Sequence, residues 1–351
     1  MKDFKVVKGV YPTMITPYRD GRIDEEAVRE LVKFYWYSGC DGIFAACQSS
    51  EIMYLSVEER VLLVRLVVNT ARELAEADKS RQPMMIVASG HVSDSLEDQA
   101  DELNKIAAEG PDALILISNR LDIANTSDEN WIADCEKLLS ALPEDMPLGI
   151  YECPKPYKRL LTDAILKWCI ESGRFYFIKD TCCDAQLISH RLDVCRGSHL
   201  EIFNANAQTL LQTLRDGASG YCGVMANFHP ELYVKLFRSD YESRSASLLQ
   251  DYLCLAATTE ALTYPCCAKD YLNRYRGIAM EKFARSADMK LYTPYQQSCI
   301  DQFAELSDYI CKTFLAPKQN NSVELSYKMW YNYLNKIEEN SYGKGQKAQK
   351  T

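Results

Sequence analysis

Short apolar runs alternate with longer amphipathic stretches over the first 240 residues. The runs are continuously apolar instead of alternating with polar residues, which is typical of strands in a parallel sheet covered on both faces. They predict strands at 10–16, 42–47, 84–89, 113–118, 148–151, 175–179, 200–203 and 219–223. Eight strand–helix units in a span of about 240 residues predict an α/β fold, a (β/α)8 barrel.

The stretches between the runs have the periodicity of helices and the residues that begin and end them. Apolar residues recur every three or four positions in 24–39, 56–77, 93–110 and 127–143. The predicted N-caps are Asp24, Ser56 (with Glu59 completing a capping box) and Ser127. The predicted helix ends are Gly39, Gly110 and Gly173.

After Phe237 the pattern contains helical stretches only. Residues 245–262, 266–284 and 294–315 predict a helical extension, and 329–337 predict a last helix. The end, SYGKGQKAQKT, has the polar, glycine-containing composition of a disordered segment. The sequence therefore predicts a barrel over 1–240, a C-terminal helical extension over 241–340 and a disordered tail over 341–351.

Composition excludes several classes of function. The net charge of −9 comes without a basic patch, so we expect no nucleic-acid partner. No apolar stretch reaches the roughly 18–20 residues of a membrane helix, and the N-terminus lacks a signal peptide, which predicts a cytoplasmic protein without a membrane partner. Fourteen cysteines without a CxxC and only four histidines predict free, mostly buried thiols and no metal site. The absence of GxGxxG after the first strand weighs against a dinucleotide site.

Two residues at neighbouring strand ends stand out. In a barrel the site lies at the C-terminal ends of the strands, where Tyr151 and Lys179 would be about 4.8 Å apart. Alternation along the strand would place Phe175, Phe177 and Lys179 on one face. A desolvated amine can attack a carbonyl, and a phenol beside it can transfer protons, so the pair suits Schiff-base chemistry. From spacing alone, a strand-end lysine reaching for water is equally compatible.

Ordered motifs add a resemblance. GVYPTMITPYRDG, SSEIMYLSVEER, YECP, FIKD, SGYCGVMANFHPELY and YPCCAKDYL follow one another between about residues 8 and 275. Together they resemble the dihydrodipicolinate synthase / N-acetylneuraminate lyase family of class I, Schiff-base-forming lyases and aldolases. The resemblance implies a (β/α)8 barrel with a C-terminal helical extension, acting on a small 2-oxo acid and an aldehyde.

The resemblance also implies roles for residues. Lys179 would form an imine with a 2-oxo acid, usually pyruvate, and Tyr151 would transfer protons and approach the substrate carboxylate. The backbone around Cys222 would border the oxo acid. Because the lysine itself supplies the electron sink, no cofactor is expected. Most such enzymes are tetramers or dimers, so we expect a homo-oligomer.

The chain departs from the family in its carboxylate-binding loop. GTTGE or GSTGE is replaced by Cys47 to Glu51, CQSSE. Ser49 keeps a hydroxyl, Gln48 replaces the other hydroxyl residue, and Ser50 replaces a glycine. We expect Gln48, Ser49 and Ser50 to bind substrate, with simple turn formation as the alternative.

A second departure concerns the acceptor. Dihydrodipicolinate synthases proper have a tyrosine after strand four and an arginine after YNxP. Here Asn119 and Arg120 stand after strand four, and Pro156 takes the arginine's place. The charges that could replace it, or be surface charges only, are Lys155, Lys158 and Arg159. We therefore expect a lyase or aldolase with another acceptor, such as a sugar-derived one. Alternatives are 4-hydroxy-tetrahydrodipicolinate synthase itself and a non-catalytic 2-oxo-acid-binding protein.

Other candidates are weaker. His91 follows a strand and could touch a substrate, although a loop or capping role is favoured, and His229 is interpreted as structural. Glycines 217, 220 and 223 surround the last strand, where barrels often bind phosphate, but packing explains them equally. Cys182 and Cys183 could be reactive, yet no nearby histidine would activate them.

Overall fold

Eight parallel strands form a closed barrel within residues 4–315, the part of the chain that the computed structural model describes. The barrel strands are β1 (Gly9–Val10), β4 (Gly42–Ala45), β5 (Met85–Ala88), β6 (Ala113–Ile117), β7 (Leu148–Tyr151), β8 (Phe175–Asp180), β9 (Glu201–Asn204) and β10 (Gly220–Tyr221). The strands β2 (Tyr18–Arg19) and β3 (Arg22–Ile23) form a separate antiparallel hairpin. From β4 to β10 each strand pairs with the next, and β10 pairs with β1. A bridge between Thr13 and Phe44 closes the ring. All eight predicted strands are present, although the first, predicted over 10–16, is confined to Gly9–Val10 with an isolated bridge at Thr13.

Helices cover the outside of the barrel. They are α1 (Glu25–Tyr37), α2 (Val57–Ala77), α3 (Leu96–Ala107), α4 (Asp128–Ser140), α5 (Asp163–Ser172), α6 (Ala185–Cys195), α7 (Leu210–Arg215) and α8 (Pro230–Phe237). The side chains of Asp24, Ser56 and Ser127 accept backbone hydrogen bonds as predicted, and Glu59 completes the capping box with Ser56. Gly173 ends α5 with a φ of 66°, in the left-handed region where glycine is favoured.

Three helices follow the barrel: α9 (Arg244–Ala256), α10 (Cys266–Arg276) and α11 (Pro294–Leu315). The predicted helix over 266–284 is too long, because Gly277 adopts a φ of 68° and ends α10. The segment beyond it returns to the barrel, where the Arg285 amide donates to Glu51. The helix predicted at 329–337 and the tail at 341–351 lie outside the described residues. Among the residues described, no helix combines the length and apolar character needed to cross a bilayer.

Aromatic side chains fill the barrel interior below the strand ends. Phe177 stacks on Phe203 with 4.3 Å between ring centroids, and Tyr11 packs edge-on against Phe203 at 4.9 Å. The prediction that Phe175 shares this face is wrong, because Phe175 packs outward against Trp168 of α5. The β7–β8 register shifts between Leu148 and Gly149, which inserts one residue into β8 and reverses its alternation. Phe177 and Lys179 thus share the interior face without Phe175.

Candidate active site

A cavity of about 310 Å³ opens at the C-terminal ends of the strands. Tyr151 and Lys179 are both in its lining and are direct partners in the β7–β8 register. The Lys179 Nζ lies 4.0 Å from the centroid of the Tyr151 ring and 5.6 Å from that of Phe44. The structure therefore brings together the two residues on which the Schiff-base prediction depends.

The amine of Lys179 is buried and available. Its side chain is 5% exposed, and within residues 4–315 it has neither a hydrogen bond nor an ion pair. The carboxylates that follow Lys179 and Tyr151 in sequence, Asp180 and Glu152, are engaged elsewhere, since Arg191 forms ion pairs with both. Strand alternation turns Asp180 away from the barrel interior, so the acid of the FIKD motif stabilises the outer wall and leaves the lysine unpaired.

Tyr151 is connected to the rest of the site through a thiol. Its phenol hydrogen-bonds the side chain of Cys153, and burial raises its pKa well above the ordinary value, so it is a protonated donor at neutral pH. The Cys153 thiol in turn approaches Gln48, with 3.3 Å between Sγ and Oε1. Cys153 was not predicted, because a cysteine inside YECP gives no signal of its own.

The three predicted residues of the carboxylate loop have different positions. Gln48 and Ser49 line the cavity. The Ser49 hydroxyl donates to Thr13 Oγ1 at 3.1 Å and also hydrogen-bonds the phenol of Tyr264. Ser50 is fully buried, donates to the Met14 carbonyl at 2.6 Å, and accepts from the Cys47 amide. Ser50 is thus outside the cavity lining, and its hydroxyl holds the loop against the segment after the first strand, so that substrate binding by Ser50 stays a prediction.

Glu51 anchors the same loop to the C-terminal extension. The Glu51 and Lys269 side chains are completely buried, with 2.8 Å between Oε1 and Nζ. Lys269 also donates to the Phe283 carbonyl, and Glu51 accepts from the amides of Arg285 and Ser286. One buried ion pair thus fixes both the loop and the segment that follows α10.

Removal of one member of this pair should destabilise the whole protein. We expect Lys269→Ala to lower the free energy of unfolding by about 3–5 kcal/mol, because it leaves the Glu51 carboxylate buried without its cation. Chemical denaturation followed by circular dichroism measures this loss. Lys105→Ala, which removes an exposed i,i+4 pair with Asp101, is the control and should cost about 0–1 kcal/mol. Equal effects of the two variants would contradict the anchoring role.

The predicted Cys222 lies behind the cavity wall. It is fully buried, and the next two residues, Gly223 and Val224, form the lining. Burial raises the pKa of the Cys222 thiol to about 12, while the Lys179 charge acts in the opposite direction. That the backbone here borders the bound oxo acid stays a prediction.

The charged residues expected to hold an acceptor separate into two groups. Lys155 and Lys158 line the cavity, and the Lys158 Nζ donates to the Thr181 carbonyl at 2.7 Å. Arg159 is 7% exposed and forms a buried ion pair with Asp122 at 2.8 Å, so it is occupied structurally. Only the two lysines therefore remain as candidates for an anionic group.

Asn119 and Arg120, at the position of the family's tyrosine, are also structural. The Asn119 amide donates to the carbonyls of Cys153, Lys155 and Tyr157, which clamps the loop after β7. Arg120 pairs with Asp94 at 2.9 Å. Neither side chain is in the cavity lining.

Most of the remaining candidates have structural explanations. His91 accepts from the Ile117 amide and contacts Gln99, and burial lowers its pKa to about 4, so it is neutral. His229 is structural as predicted, bonded to Ser307. A Cβ on Gly220 would lie 1.8 Å from the Gly9 carbonyl oxygen, which explains that glycine by strand packing. Cys183 lines the cavity, whereas burial raises the pKa of Cys182 to about 12.

Two further cavity residues come from the segment between α9 and α10. Glu260 lies on a short 3-10 helix, Ala257–Ala261, and Tyr264 follows it. Sequence reasoning missed both, because the barrel rule directs attention to strand ends and these residues belong to the extension. The only signal was the YPCCAKDYL motif, which begins at Tyr264.

Known proteins share this sequence pattern and fold. A 4-hydroxy-tetrahydrodipicolinate synthase of Pelobacter propionicus is 23% identical over 256 residues, which cover 73% of this chain and 83% of the relative. The solved structure of wild-type Ruminococcus gnavus sialic acid aldolase has a TM-score of 0.76 at 19% identity, covering 88% of this chain and 99% of that one. YagE, a prophage protein of the dihydrodipicolinic acid synthase family from E. coli K12 solved with pyruvate, has a TM-score of 0.74 at 19% identity, covering 86% and 98%.

The sequence also matches a family model directly. The model of the Dihydrodipicolinate synthetase family aligns with residues 6–286, which include the whole barrel and the segment through Ser286. This match confirms the resemblance inferred from the motifs and, with it, the predicted class of enzyme, a lyase or aldolase. The chain belongs to the dihydrodipicolinate synthetase family.

Proposed function

We propose that this protein is a class I lyase or aldolase in which Lys179 forms an imine with a 2-oxo acid, pyruvate being the simplest. The observation that carries the proposal is the buried, unpaired Lys179 amine 4.0 Å from the Tyr151 ring. An amine held without a carboxylate partner in a low-dielectric cavity is disposed to react as a nucleophile.

The chemistry follows from these two groups. The amine attacks the 2-oxo carbon, and Tyr151 delivers the proton that lets the carbinolamine lose water. The protonated imine then accepts the electron pair of the C3–C4 bond of a 4-hydroxy-2-oxo acid, as the Tyr151 phenolate left by the first step takes the proton of the 4-hydroxyl. The products are an aldehyde and an enamine bound to Lys179, and attack of that enamine on an aldehyde is the reverse reaction.

Polar groups on the cavity wall can hold the substrate carboxylate. Ser49 lines the cavity beside the Tyr151–Lys179 pair, and its hydroxyl can exchange a protein partner for a carboxylate oxygen. The Thr13 hydroxyl, which accepts from Ser49 at 3.1 Å, and the Tyr264 phenol are the protein partners of that hydroxyl. That Ser49 binds the substrate carboxylate is part of this proposal.

The site favours an acceptor other than aspartate semialdehyde. The curated relative cited above is a 4-hydroxy-tetrahydrodipicolinate synthase, whereas similar folds include sialic acid aldolase and a Clostridium difficile protein, CdNal, solved with mannosamine. In this chain Arg120 and Arg159 are committed to ion pairs, and Pro156 occupies the place of the family's carboxylate-binding arginine. The cavity instead presents Gln48, whose amide suits hydroxyl groups. Cytoplasmic location and homo-oligomer formation stay predictions.

Reductive trapping tests the proposal. Incubation with pyruvate and borohydride should add a covalent mass to the protein, and peptide mapping should place it on Lys179. A panel of 2-oxo acids and aldehydes, including aspartate semialdehyde, then identifies the partner by product formation. An unchanged mass with every 2-oxo acid would refute imine formation. Trapping without turnover of any partner would instead favour the non-catalytic binding protein.

A further inference from the structure

Glu260 is held over the cavity by its neighbours in the C-terminal extension. Thr259, the preceding residue, is buried, and its hydroxyl contacts Met225 Sδ at 3.6 Å and the Ala256 carbonyl at 2.8 Å. Met225 belongs to the segment that directly follows β10. The short 3-10 helix is therefore fixed to the barrel mouth, and the position of Glu260 does not depend on a free loop.

The Glu260 carboxylate has no protein partner within residues 4–315. It makes no hydrogen bond or ion pair there, and the charge that acts on it is that of Lys179. The Glu260 side chain is exposed to solvent at the cavity, where partial loss of bulk water raises the pKa of its carboxyl group to about 7. The carboxylate of Glu51 in the neighbouring loop is, by contrast, paired with Lys269. An unpartnered acid beside the reactive lysine is thus the exception in this region.

We propose that Glu260 selects the acceptor aldehyde by accepting hydrogen bonds from hydroxyl groups close to the reacting carbon. This inference rests on the proposed function, since it assigns the second substrate of the same site. A carboxylate accepts strong hydrogen bonds from hydroxyl groups and repels a carboxylate placed at the same point. The preferred acceptor is therefore a neutral, hydroxylated aldehyde, and an aldehyde with an anionic group next to the reacting carbon is disfavoured.

Other cavity groups agree with a hydroxylated acceptor. Gln48 and Asn206 add amides that can donate to or accept from hydroxyls. The cations Lys155 and Lys158 come from the loop after β7, whereas Glu260 comes from the extension. An anionic group at the far end of a longer acceptor is compatible with the lysines and does not have to approach Glu260.

The selection should depend on pH. The titratable groups that interact electrostatically with Glu260 are Lys179, Tyr221, Tyr233 and Tyr264, and burial raises the pKa of all three phenols well above the ordinary value. These phenols therefore stay neutral while Glu260 ionises. Because the ionised form is the better acceptor, kcat/KM for hydroxylated aldehydes should rise between about pH 6 and pH 8.

The test compares Glu260→Gln and Glu260→Ala with the wild type, and uses Glu136→Gln on the exposed face of α4 as a matched control. The aldehydes are glyceraldehyde and erythrose, propionaldehyde as the unhydroxylated probe, and glyoxylate as the probe with an anionic group next to the reacting carbon. In both Glu260 variants we expect the preference for the hydroxylated aldehydes, as a ratio of kcat/KM values, to fall about 10- to 100-fold. The rise with pH should disappear in Glu260→Gln and persist in Glu136→Gln.

Trapping with pyruvate separates the two proposals. It should remain intact in every variant, which also shows that the Lys179 site is assembled. Intact trapping with an unchanged acceptor preference, or a wild type that does not prefer hydroxylated aldehydes, overturns the role of Glu260 alone. Failure of trapping in the wild type overturns the proposed function and this inference with it.

Discussion

Replacement of Lys179 by alanine should abolish trapping by pyruvate and all carbon–carbon bond cleavage or formation. The imine nitrogen is the electron sink of the reaction. The other two lysines of the cavity are not placed to form this imine, because Lys158 donates to the Thr181 carbonyl and Lys155 lies on the loop after β7. Intact mass after borohydride reduction and a product assay measure the loss. We expect no trapped adduct and a rate indistinguishable from the uncatalysed reaction.

The fold should tolerate this substitution. Because the Lys179 amine has no hydrogen bond or ion pair in the described structure, its removal leaves no buried polar group without a partner, although it loses the contacts with the Tyr151 and Phe44 rings. The free energy of unfolding should therefore not fall appreciably. Lys155→Ala, a change of the same type in the same cavity, is the control and should keep trapping. An adduct that persists in Lys179→Ala would show that another residue is the nucleophile.

The barrel was predictable because parallel strands and their helices have distinct periodicities. Eight apolar runs and the capping residues Asp24, Ser56 and Ser127 were sufficient to place most elements, and the position of strand ends was sufficient to place Tyr151 beside Lys179. The wrong face for Phe175 results from a register shift between β7 and β8, which alternation along one strand cannot reveal.

The cavity wall was less predictable because its residues depend on long-range contacts. Ser50 has the hydroxyl of a substrate-binding residue, but its partner is the Met14 carbonyl, 36 positions away. Glu260 comes from an extension whose docking on the barrel cannot be inferred from periodicity. The thiol between Tyr151 and Gln48 appears only when the YECP loop folds over the strand ends.

Tyr151→Phe should slow catalysis by about 10²–10⁴-fold, the scale of lost general acid–base assistance. The substitution removes one hydroxyl and keeps the ring, so the packing against Phe44 and the contact with Lys179 remain. Stability should change little, whereas kcat for the full reaction falls. The matched control is Tyr157→Phe, whose hydroxyl contacts the Asp122 and Ile123 carbonyls outside the cavity lining.

The comparison with Glu260 variants decides which group transfers the proton. If the phenol does so, Tyr151→Phe lowers kcat for every acceptor alike and slows formation of the trapped imine, because proton delivery precedes the choice of aldehyde. If Glu260 does so, Glu260→Gln lowers kcat in the same uniform way and Tyr151→Phe has less than about a tenfold effect. Burial raises the pKa of Tyr151 well above its ordinary value, so its contribution should be constant across neutral pH. We expect Tyr151→Phe to lower kcat independently of pH, and Glu260→Gln to lower kcat/KM in a way that depends on both pH and the acceptor. This outcome would assign proton transfer to the barrel and acceptor choice to the extension.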